Sequence, residues 1–334
     1  MLKREDQKKK LIGAYASVYT PATDDGLEID FERYREQIHF IVDTGFSEGI
    51  GTLMAAGGAA EGYMLSETQW RRAVETCAEV AAGRVPLVAG VFGLGSRGVM
   101  DRIEYAEELG YSFVQLVPPA NQGPTDTEIY EYYALADSVS HRIGILVYHS
   151  HWNWPGPYEL TLPLLNKIVD LEHVVGIKWS GKSMMNFLEV IGGLKDKVAF
   201  TDNFGWVTKS RDNGLGFRMF MAPAVNWDPE GVIRVSKLWQ AGDYPAFAAE
   251  NRRIAAPKAA MIRAAGEELH GQATLANWDS LALRLVKSLG EGTVNKGIME
   301  LVGRPLGPPF KPQHRVSNQC LERAKELLAG STKK

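Results

Sequence analysis

The sequence has little of what disulfide frameworks, metal clusters, membrane spans or nucleic-acid binding require. Its 334 residues include only two cysteines, Cys77 and Cys320, which are too few for a disulfide framework or a four-cysteine zinc site. No apolar run approaches the length of a membrane-spanning helix. The formal net charge is only -3, so no strong field attracts nucleic acid or anionic lipid. We therefore expect a small-molecule ligand, no nucleic-acid or membrane partner, and a reducing, cytoplasmic location.

The first ten residues are basic, but we do not expect them to begin a signal peptide. Glu5 and Asp6 interrupt the basic stretch, and the apolar segment at 11–19 is short and interleaved with Gly, Ser and Tyr. We predict that residues 1–10 form a disordered or frayed tail that leads into a first strand.

Short apolar runs bounded by Gly or Pro alternate along the chain with segments of helical period. Two of the helical segments begin with capping boxes, at Ser66 to Gln69 and Thr125 to Glu128. One helix-length segment separates each run from the next, which favours the α/β class and a (β/α)8 TIM barrel over a doubly wound sheet. The eight predicted strands are 12–18, 49–53, 86–91, 113–117, 143–148, 174–178, 198–201 and 217–221.

Only helical patterns follow the eighth predicted strand. Asp228-Pro229 has the form of an N-cap followed by proline at the first helical position. We predict a barrel at 11–225 and a C-terminal helical region at 226–334, packed on the barrel or used between subunits. The helical segments of this region are 233–238, 246–269, 280–289 and 318–328.

Lys178 closes the sixth predicted strand, whose other residues are apolar or small. A strand of this kind is buried on both faces, and an amine at its carboxyl end points into the crevice where barrel enzymes hold substrates. With an ordinary pKa near 10.4, less than about a thousandth of a lysine is neutral at pH 7. A nucleophilic lysine therefore needs its pKa lowered by about three, or about 4 kcal/mol of burial and neighbouring charge. In the alternative interpretation, Lys178 extends to the rim and pairs with a carboxylate.

Two further features lie at the same predicted end of the barrel. Tyr148 ends the fifth strand, beside Lys178, and its phenol is suited to relaying protons while a carbinolamine forms and dehydrates. A loop anchored by the tyrosine hydroxyl is the structural alternative. The segment 55–62 is rich in small residues, which lets backbone N–H groups approach a ligand carboxylate, although a plain tight turn has the same composition.

Two other functional classes were considered from the sequence. Gly93 to Gly98 matches the dinucleotide fingerprint formally, but the next strand does not end in the acidic residue that the fingerprint requires, which excludes a dehydrogenase. His149 and His151 have the alternate spacing of two metal ligands on an extended segment, with Asp202 or His173 as a possible third ligand. A metal-dependent barrel enzyme therefore remains an alternative, with hydrogen-bonding loop histidines as the structural interpretation.

The order of these features resembles the dihydrodipicolinate synthase and N-acetylneuraminate lyase superfamily over about residues 13–221. The resemblance is carried by Thr20-Pro21, a Gly-rich loop ending in Glu61, Tyr148, and the Gly-Ile-Lys strand that ends at Lys178. It implies a Schiff-base-forming aldolase or dehydratase that acts on a 2-oxo acid such as pyruvate or a sugar-derived acid. It also implies no metal or other cofactor and a homo-oligomer, tetramer or dimer. Lys178 falls on the imine-forming lysine of the family and Tyr148 on its proton-relaying tyrosine.

The sequence departs from the motifs of this superfamily at two places. The Gly-Thr-Thr-Gly-Glu loop of the family falls on residues 57–61, so Gly58 and Ala59 occupy its two hydroxyl positions. The second tyrosine of the synthases falls near Ala120 and Asn121. A non-catalytic ligand-binding relative is therefore a third hypothesis, and the choice among aldol cleavage, condensation and dehydration stays open. The candidate catalytic residues are Lys178 and Tyr148, and the candidate substrate-binding residues are Gly57, Gly58, Ala59, Asn121 and Asp202.

Overall fold

The structure of the protein is a computed structural model, and it describes residues 4–92, 95–119, 123–150, 159–181, 183–270 and 291–331. Eight parallel strands form a closed barrel in which the last strand pairs with the first. The predicted (β/α)8 barrel is therefore confirmed. The strands are β1 Gly13–Ser17, β2 Gly51–Ala55, β3 Leu87–Val91, β4 Phe113–Leu116, β5 Gly144–Ser150, β6 Val174–Ser180, β7 Ala199–Asp202 and β8 Met219–Met221.

One α-helix lies between each pair of consecutive strands, and more helices follow the last strand. The helices are α1 Arg4–Lys10, α2 Phe31–Val42, α3 Glu67–Ala81, α4 Ser96–Glu108, α5 Asp126–Val139, α6 Leu162–Val169, α7 Met184–Leu194, α8 Trp206–Ser210, α9 Pro229–Gln240, α10 Tyr244–Ile254, α11 Ala256–His270, α12 Glu291–Leu301 and α13 Asn318–Ser331. Short 3-10 helices cover Gly58–Ala60, Gly62–Met64 and Pro223–Asn226.

Local sequence signals set several of these helix starts. Ser66 and Thr125 cap α3 and α5, and in each case the side chain three residues later bonds back to the backbone of the cap. Asp228 caps α9 by accepting a hydrogen bond from the N–H of Gly231, with Pro229 at the first helical position. The two predicted capping boxes and the predicted proline start are therefore confirmed.

Apolar side chains fill the lower part of the barrel interior. Alternate residues of the strands point inward, while the others pack against the helices. Because the inward residues form a closed apolar cluster, open space is left only at the carboxyl ends of the strands. The buried members of the interior cluster are Leu11, Tyr15, Met54, Val88, Phe113, Leu146, Val175, Ala199 and Met219.

The prediction of a frayed tail at residues 1–10 is wrong for residues 4–10, which form helix α1. The helix packs under the barrel, at the amino ends of the strands. The side chain of Gln7 donates to the carbonyl of Arg142, and Arg218 donates to the carbonyl of Lys8 at 3.1 Å. Leu11, directly after the helix, is completely buried in the barrel interior. These contacts offset the low intrinsic stability of a short, charged helix.

The C-terminal helices differ from the prediction in two ways. The segment predicted as one helix at 246–269 is interrupted at Ala255, between α10 and α11. Helix α12 lies where no helix was predicted, and the predicted segment 280–289 lies outside the described residues. The division of the chain near residue 225 stays a prediction. No helix within the described ranges is long and apolar enough to cross a membrane.

Candidate active site

Lys178 and Tyr148 lie side by side on adjacent strands, β6 and β5, and both point into a cavity at the carboxyl end of the barrel. Both residues are buried, at 8% and 7% exposure. The Nζ atom of Lys178 lies 4.3 Å from the centre of the Tyr148 ring and 5.8 Å from that of Tyr15. The amine therefore lies in a largely aromatic environment, within reach of a small molecule in the cavity.

A hydrogen-bonded chain orients the hydroxyl of Tyr148. The hydroxyl of Ser180 donates to the Tyr148 oxygen at 3.4 Å, and Nδ2 of Asn203 donates to Ser180 at 2.6 Å. Ser180 lies two residues after Lys178 on the same strand, so it faces the same side of the sheet. Asn203 follows β7 and also lines the cavity. Neither residue was predicted from the sequence, because single Ser and Asn residues near strand ends have no distinctive spacing.

The loop after β2 forms one wall of the cavity. A Cβ atom at Gly57 would lie 2.6 Å from Cε of Met54 and 2.8 Å from Oγ of Ser17, so any larger residue there would have to displace these two side chains. Gly58 and Ala59 begin the 3-10 helix Gly58–Ala60 and line the cavity. The first N–H groups of such a helix have no acceptor within it, which leaves them available to a ligand.

Helix α12 holds this loop in place. Nδ2 of Asn295 donates to the carbonyl of Ala59 at 2.8 Å, and the hydroxyl of Tyr19 donates to Oδ1 of Asn295 at 3.2 Å. Asn295 therefore joins the loop after β2, the loop after β1 and the C-terminal helices. The C-terminal region thus forms part of the candidate site.

The cavity has a volume of 220 Å³. At about 30 Å³ per water molecule, this is the space of about seven waters, which suits a small metabolite and not a polymer. Barrel residues form its floor, and residues of α11 and α12 form its roof. The lining residues are Ser17, Tyr19, Met54, Gly58, Ala59, Tyr148, Lys178, Asn203, Met221, Pro223, Lys258, Ile262, Glu291, Val294 and Asn295.

Lys258 and Glu291 bring two further charges to the roof of the cavity. Burial lowers the pKa of Lys258, with the nearby Lys178 acting in the same direction and Glu291 opposing it. Burial raises the pKa of the Glu291 carboxyl, and Lys178 and Lys258 oppose this shift. The three groups therefore interact electrostatically across the cavity. The sequence analysis missed Lys258 and Glu291, because both lie on helices far along the chain from Lys178.

Asp202 does not line the cavity, although it was a candidate substrate-binding residue. Its two carboxylate oxygens accept hydrogen bonds from the N–H groups of Trp206 at 2.8 Å and Val207 at 2.9 Å. Burial raises its pKa, and these backbone bonds oppose the shift. Asp202 instead fixes the start of α8 and the loop that carries Asn203.

Glu61 is also structural in this arrangement. It is 1% exposed and accepts hydrogen bonds from the N–H of Phe310 at 2.8 Å and from Gln313 at 2.9 Å. Its other oxygen lies 3.7 Å from Nζ of Lys296. Glu61 therefore attaches the loop after β2 to the C-terminal segment.

The two described histidines among the proposed metal ligands, His149 and His173, do not line the cavity. His149 is fully buried, and its ring packs 4.2 Å from that of Trp179, on the opposite side of the sheet from Tyr148 and Lys178. His173 precedes β6, at the other end of the barrel, and its Nδ1 lies 3.1 Å from Asp137. Asn121 and His151 lie outside the described residues. In the described part of the chain, no group of three His, Cys, Asp or Glu residues has the geometry of a metal site.

A larger depression of 580 Å³ lies between α11 and α13, away from Lys178. Its lining is mainly acidic, and Arg323 pairs with both Glu267 and Glu326. It contains no candidate nucleophile apart from Cys320, whose thiol has a pKa raised by burial to about 12. The cavity at Lys178 is therefore the candidate active site.

A comparison with known proteins decides the family. The model of the dihydrodipicolinate synthetase family matches residues 10–263, three quarters of the chain. This chain belongs to that family. It is accordingly an enzyme of the lyase class, of aldolase type. The resemblance inferred from the motifs is confirmed.

Individual relatives agree with this assignment. The 4-hydroxy-tetrahydrodipicolinate synthase of Nitratidesulfovibrio vulgaris is 29% identical over 239 residues, which cover 69% of this chain and 76% of that protein. The crystal structure of dihydrodipicolinate synthase from Oceanobacillus iheyensis aligns with a TM-score of 0.78 at 17% identity, over 99% of this chain and 100% of that one. N-acetylneuraminate lyase from Mycoplasma synoviae aligns with a TM-score of 0.69 at 20% identity, over 96% and 98% of the two chains. At these identities the two structures show a shared fold.

Proposed function

We propose that this family member is a Schiff-base-forming lyase that acts on a 2-oxo acid, with Lys178 as the nucleophile. The observation that supports this most directly is the position of the Lys178 amine, which lies 4.3 Å from the ring of Tyr148 inside a cavity of 220 Å³. The neutral amine attacks the 2-oxo carbon, and the resulting carbinolamine loses water to form a protonated imine. The protonated imine then accepts the electrons of a C–C bond or a C–H bond at the adjacent carbon when that bond breaks, which gives an enamine. The enamine can in turn form a C–C bond to an electrophilic carbon or expel a hydroxyl group from the next carbon as water.

Tyr148 is proposed as a proton-transfer group in these steps. Its hydroxyl is oriented by Ser180 and Asn203 and lies on the same side of the sheet as Lys178. A positioned group of this kind contributes typically about 10²–10⁴-fold to a proton-transfer step. Ser180 and Asn203 are proposed to position the phenol.

The substrate carboxylate is proposed to bind at the loop after β2. The N–H groups of Gly58 and Ala59 point out of the first turn of a 3-10 helix beside the cavity. Backbone donors of this type bind carboxylates without any side-chain hydroxyl. A simple 2-oxo acid such as pyruvate fits these requirements, and a sugar-derived 2-oxo acid would extend from the same position. We also propose a cytoplasmic homo-oligomer, which sedimentation analysis of the purified protein would test.

Borohydride reduction in the presence of 2-oxo acids tests this function. The protein is incubated with pyruvate, 2-oxobutyrate or 2-oxoglutarate, reduced, digested and mapped by mass spectrometry. We expect the mass of the reduced acid on the peptide that contains Lys178, and none without the acid. Labelling at Lys182, Lys209 or Lys258 with Lys178 unmodified would overturn the proposed nucleophile. An absence of any labelling with a fully folded protein would favour a non-catalytic relative.

A further inference from the structure

The loop after β2 leaves open space where a hydroxyl-bearing side chain would fit. Gly58 has no side chain, and a Cβ atom placed on it would lie 3.7 Å from Cζ of Phe92 and 3.8 Å from Oε2 of Glu291. These are ordinary contact distances. The carboxyl group of Glu291 therefore lies where a side chain of residue 58 would point. The polar group that the loop lacks is supplied by a different part of the chain.

The position of Glu291 is fixed by the helix that carries it. Glu291, Val294 and Asn295 lie three and four residues apart on α12, so they share one face of the helix, and all three line the cavity. The bond from Asn295 to the carbonyl of Ala59 fixes this face against the loop. Glu291 lies one turn earlier on the same face, beside Gly58. Its placement therefore follows from contacts that do not involve its own side chain.

The surroundings of Glu291 act in opposite directions on the pKa of its carboxyl group. Burial favours the neutral carboxyl, while Lys178 on β6 and Lys258 on α11 favour the carboxylate. The hydroxyls of Tyr19 and Tyr63 also face this charge. In the described part of the chain, the carboxyl group of Glu291 has no hydrogen bond or ion pair that would hold it in one state, and only its backbone bonds to Tyr63. A group of this kind can both release and accept a proton.

We propose that Glu291 is a second acid–base residue of the site, beside Tyr148, and replaces the loop hydroxyls that this chain lacks. The proposal rests on the Schiff-base function proposed above. As an acid, neutral Glu291 gives its proton to the hydroxyl of the carbinolamine on Lys178. The C–O bond breaks, water leaves, and the products are the protonated imine and the Glu291 carboxylate. As a base, the carboxylate removes a proton from the carbon next to the imine carbon, which gives the neutral enamine and restores the carboxyl.

Exchange of the methyl protons of pyruvate with deuterium tests this role without knowledge of the second substrate. The exchange requires imine formation at Lys178 and then proton removal at the adjacent carbon, and it is followed by NMR in D₂O. Borohydride trapping with pyruvate is continued until no more label is incorporated. It measures imine formation at Lys178 separately from proton removal. The variant is Glu291→Gln. The matched control is Glu300→Gln, which removes a carboxylate from the same helix away from the cavity, where it pairs with Arg315.

For Glu291→Gln, we expect end-point trapping at Lys178 to persist while the exchange rate falls by about 10²–10⁴-fold. The Glu300→Gln control should keep both the end-point trapping and the exchange rate of the wild-type protein. Adding Gly58→Ser to Glu291→Gln should restore part of the exchange, because the structure has room for the side chain and returns a hydroxyl to the loop. Unchanged exchange in Glu291→Gln with intact trapping would overturn the role of Glu291. Absence of trapping in the wild-type protein would instead overturn the proposed function, and this proposal with it.

A second variant, Glu291→Asp, distinguishes proton transfer by the carboxylate from an effect of its negative charge alone. It also provides a test if Glu291→Gln does not fold. Glu291→Asp keeps the negative charge but withdraws the carboxylate by one methylene from the reacting atoms. We expect exchange to fall by at least about tenfold with trapping retained, since proton transfer depends on hydrogen-bond distance. Wild-type exchange in Glu291→Asp would mean that only the charge matters, which would overturn the proposal.

Discussion

The molecule contains two lysine–glutamate groups that differ in how their polar atoms are satisfied. Lys296 and Glu61 are almost completely enclosed, and Lys296 donates to the carbonyls of Thr20 and Leu306. Glu61 accepts from Phe310 and Gln313. Around the cavity, by contrast, the described residues offer no hydrogen bond or ion pair within 4 Å to the charged side-chain groups of Lys178, Lys258 or Glu291.

This difference separates structural charges from reactive ones. A buried charged group whose hydrogen bonds are all made within the protein is not available to a ligand. Removing its partner lowers the free energy of unfolding. A charge that lines a cavity without a protein partner can bind or react with a ligand. We therefore expect substitutions at the Lys296–Glu61 pair to affect stability, and substitutions around the cavity to affect chemistry.

The largest effect on chemistry is expected for Lys178→Ala. Removing the amine removes the imine, so trapping with pyruvate and methyl-proton exchange should both fall to background. The Lys178 side chain points into the cavity and an alanine keeps the backbone pairing of β6, so the melting temperature should change little. A variant that still traps pyruvate would show that another lysine carries the reaction.

The largest effect on stability is expected for Glu61→Gln. The substitution leaves Lys296 as a buried charge without its partner, which typically costs about 3–5 kcal/mol in free energy of unfolding. Urea unfolding gives this value. The matched control is Glu322→Gln, in an exposed pair with Lys325 on α13, where we expect less than about 1 kcal/mol. If the two variants lost the same free energy of unfolding, the buried Lys296–Glu61 pair would not differ from a surface pair.

Tyr148→Phe is expected to reduce methyl-proton exchange by about 10²–10⁴-fold, because it removes one positioned proton-transfer group and no large apolar contact. The rate is measured by NMR and the melting temperature by circular dichroism. An unchanged rate together with a large fall in melting temperature would favour the alternative in which the hydroxyl only anchors a loop.

The smallest effect is expected for the pH dependence of the stability that the buried Lys296–Glu61 pair contributes. Burial lowers the pKa of folded Lys296 to about 8, below its ordinary value of 10.5. Between these values the unfolded chain binds more protons at this site than the folded chain, so the contribution of Lys296 to stability rises with pH. The difference in unfolding free energy between the wild-type protein and Lys296→Met should therefore shift in favour of the wild type from pH 8 to 10. A constant difference would contradict the lowered pKa.

The sequence alone was sufficient for the barrel and for Lys178 and Tyr148 as neighbours. Buried parallel strands are continuous apolar runs, and the carboxyl ends of adjacent strands meet at one end of the barrel. Helix α12 was missed because Gly292, Thr293, Asn295 and Gly297 are weak helix formers, and its burial among other elements stabilises it instead. Glu291 was missed with it.

Asp202 was misinterpreted for a different reason. A carboxylate directly after a barrel strand can either face the ligand or cap the next helix, and the sequence does not distinguish the two. Lys258 is similar, because a lysine on a helix is usually on the solvent side. Only the packing of α11 over the barrel mouth places it in the cavity.

A crystal structure of the protein soaked with pyruvate tests the central claim most directly. We predict continuous density between Nζ of Lys178 and the 2-oxo carbon, with the carboxylate of pyruvate at the N–H groups of Gly58 and Ala59. Pyruvate bound without a covalent bond to Lys178, or joined to Lys258 instead, would contradict the assignment of Lys178 as the imine-forming residue.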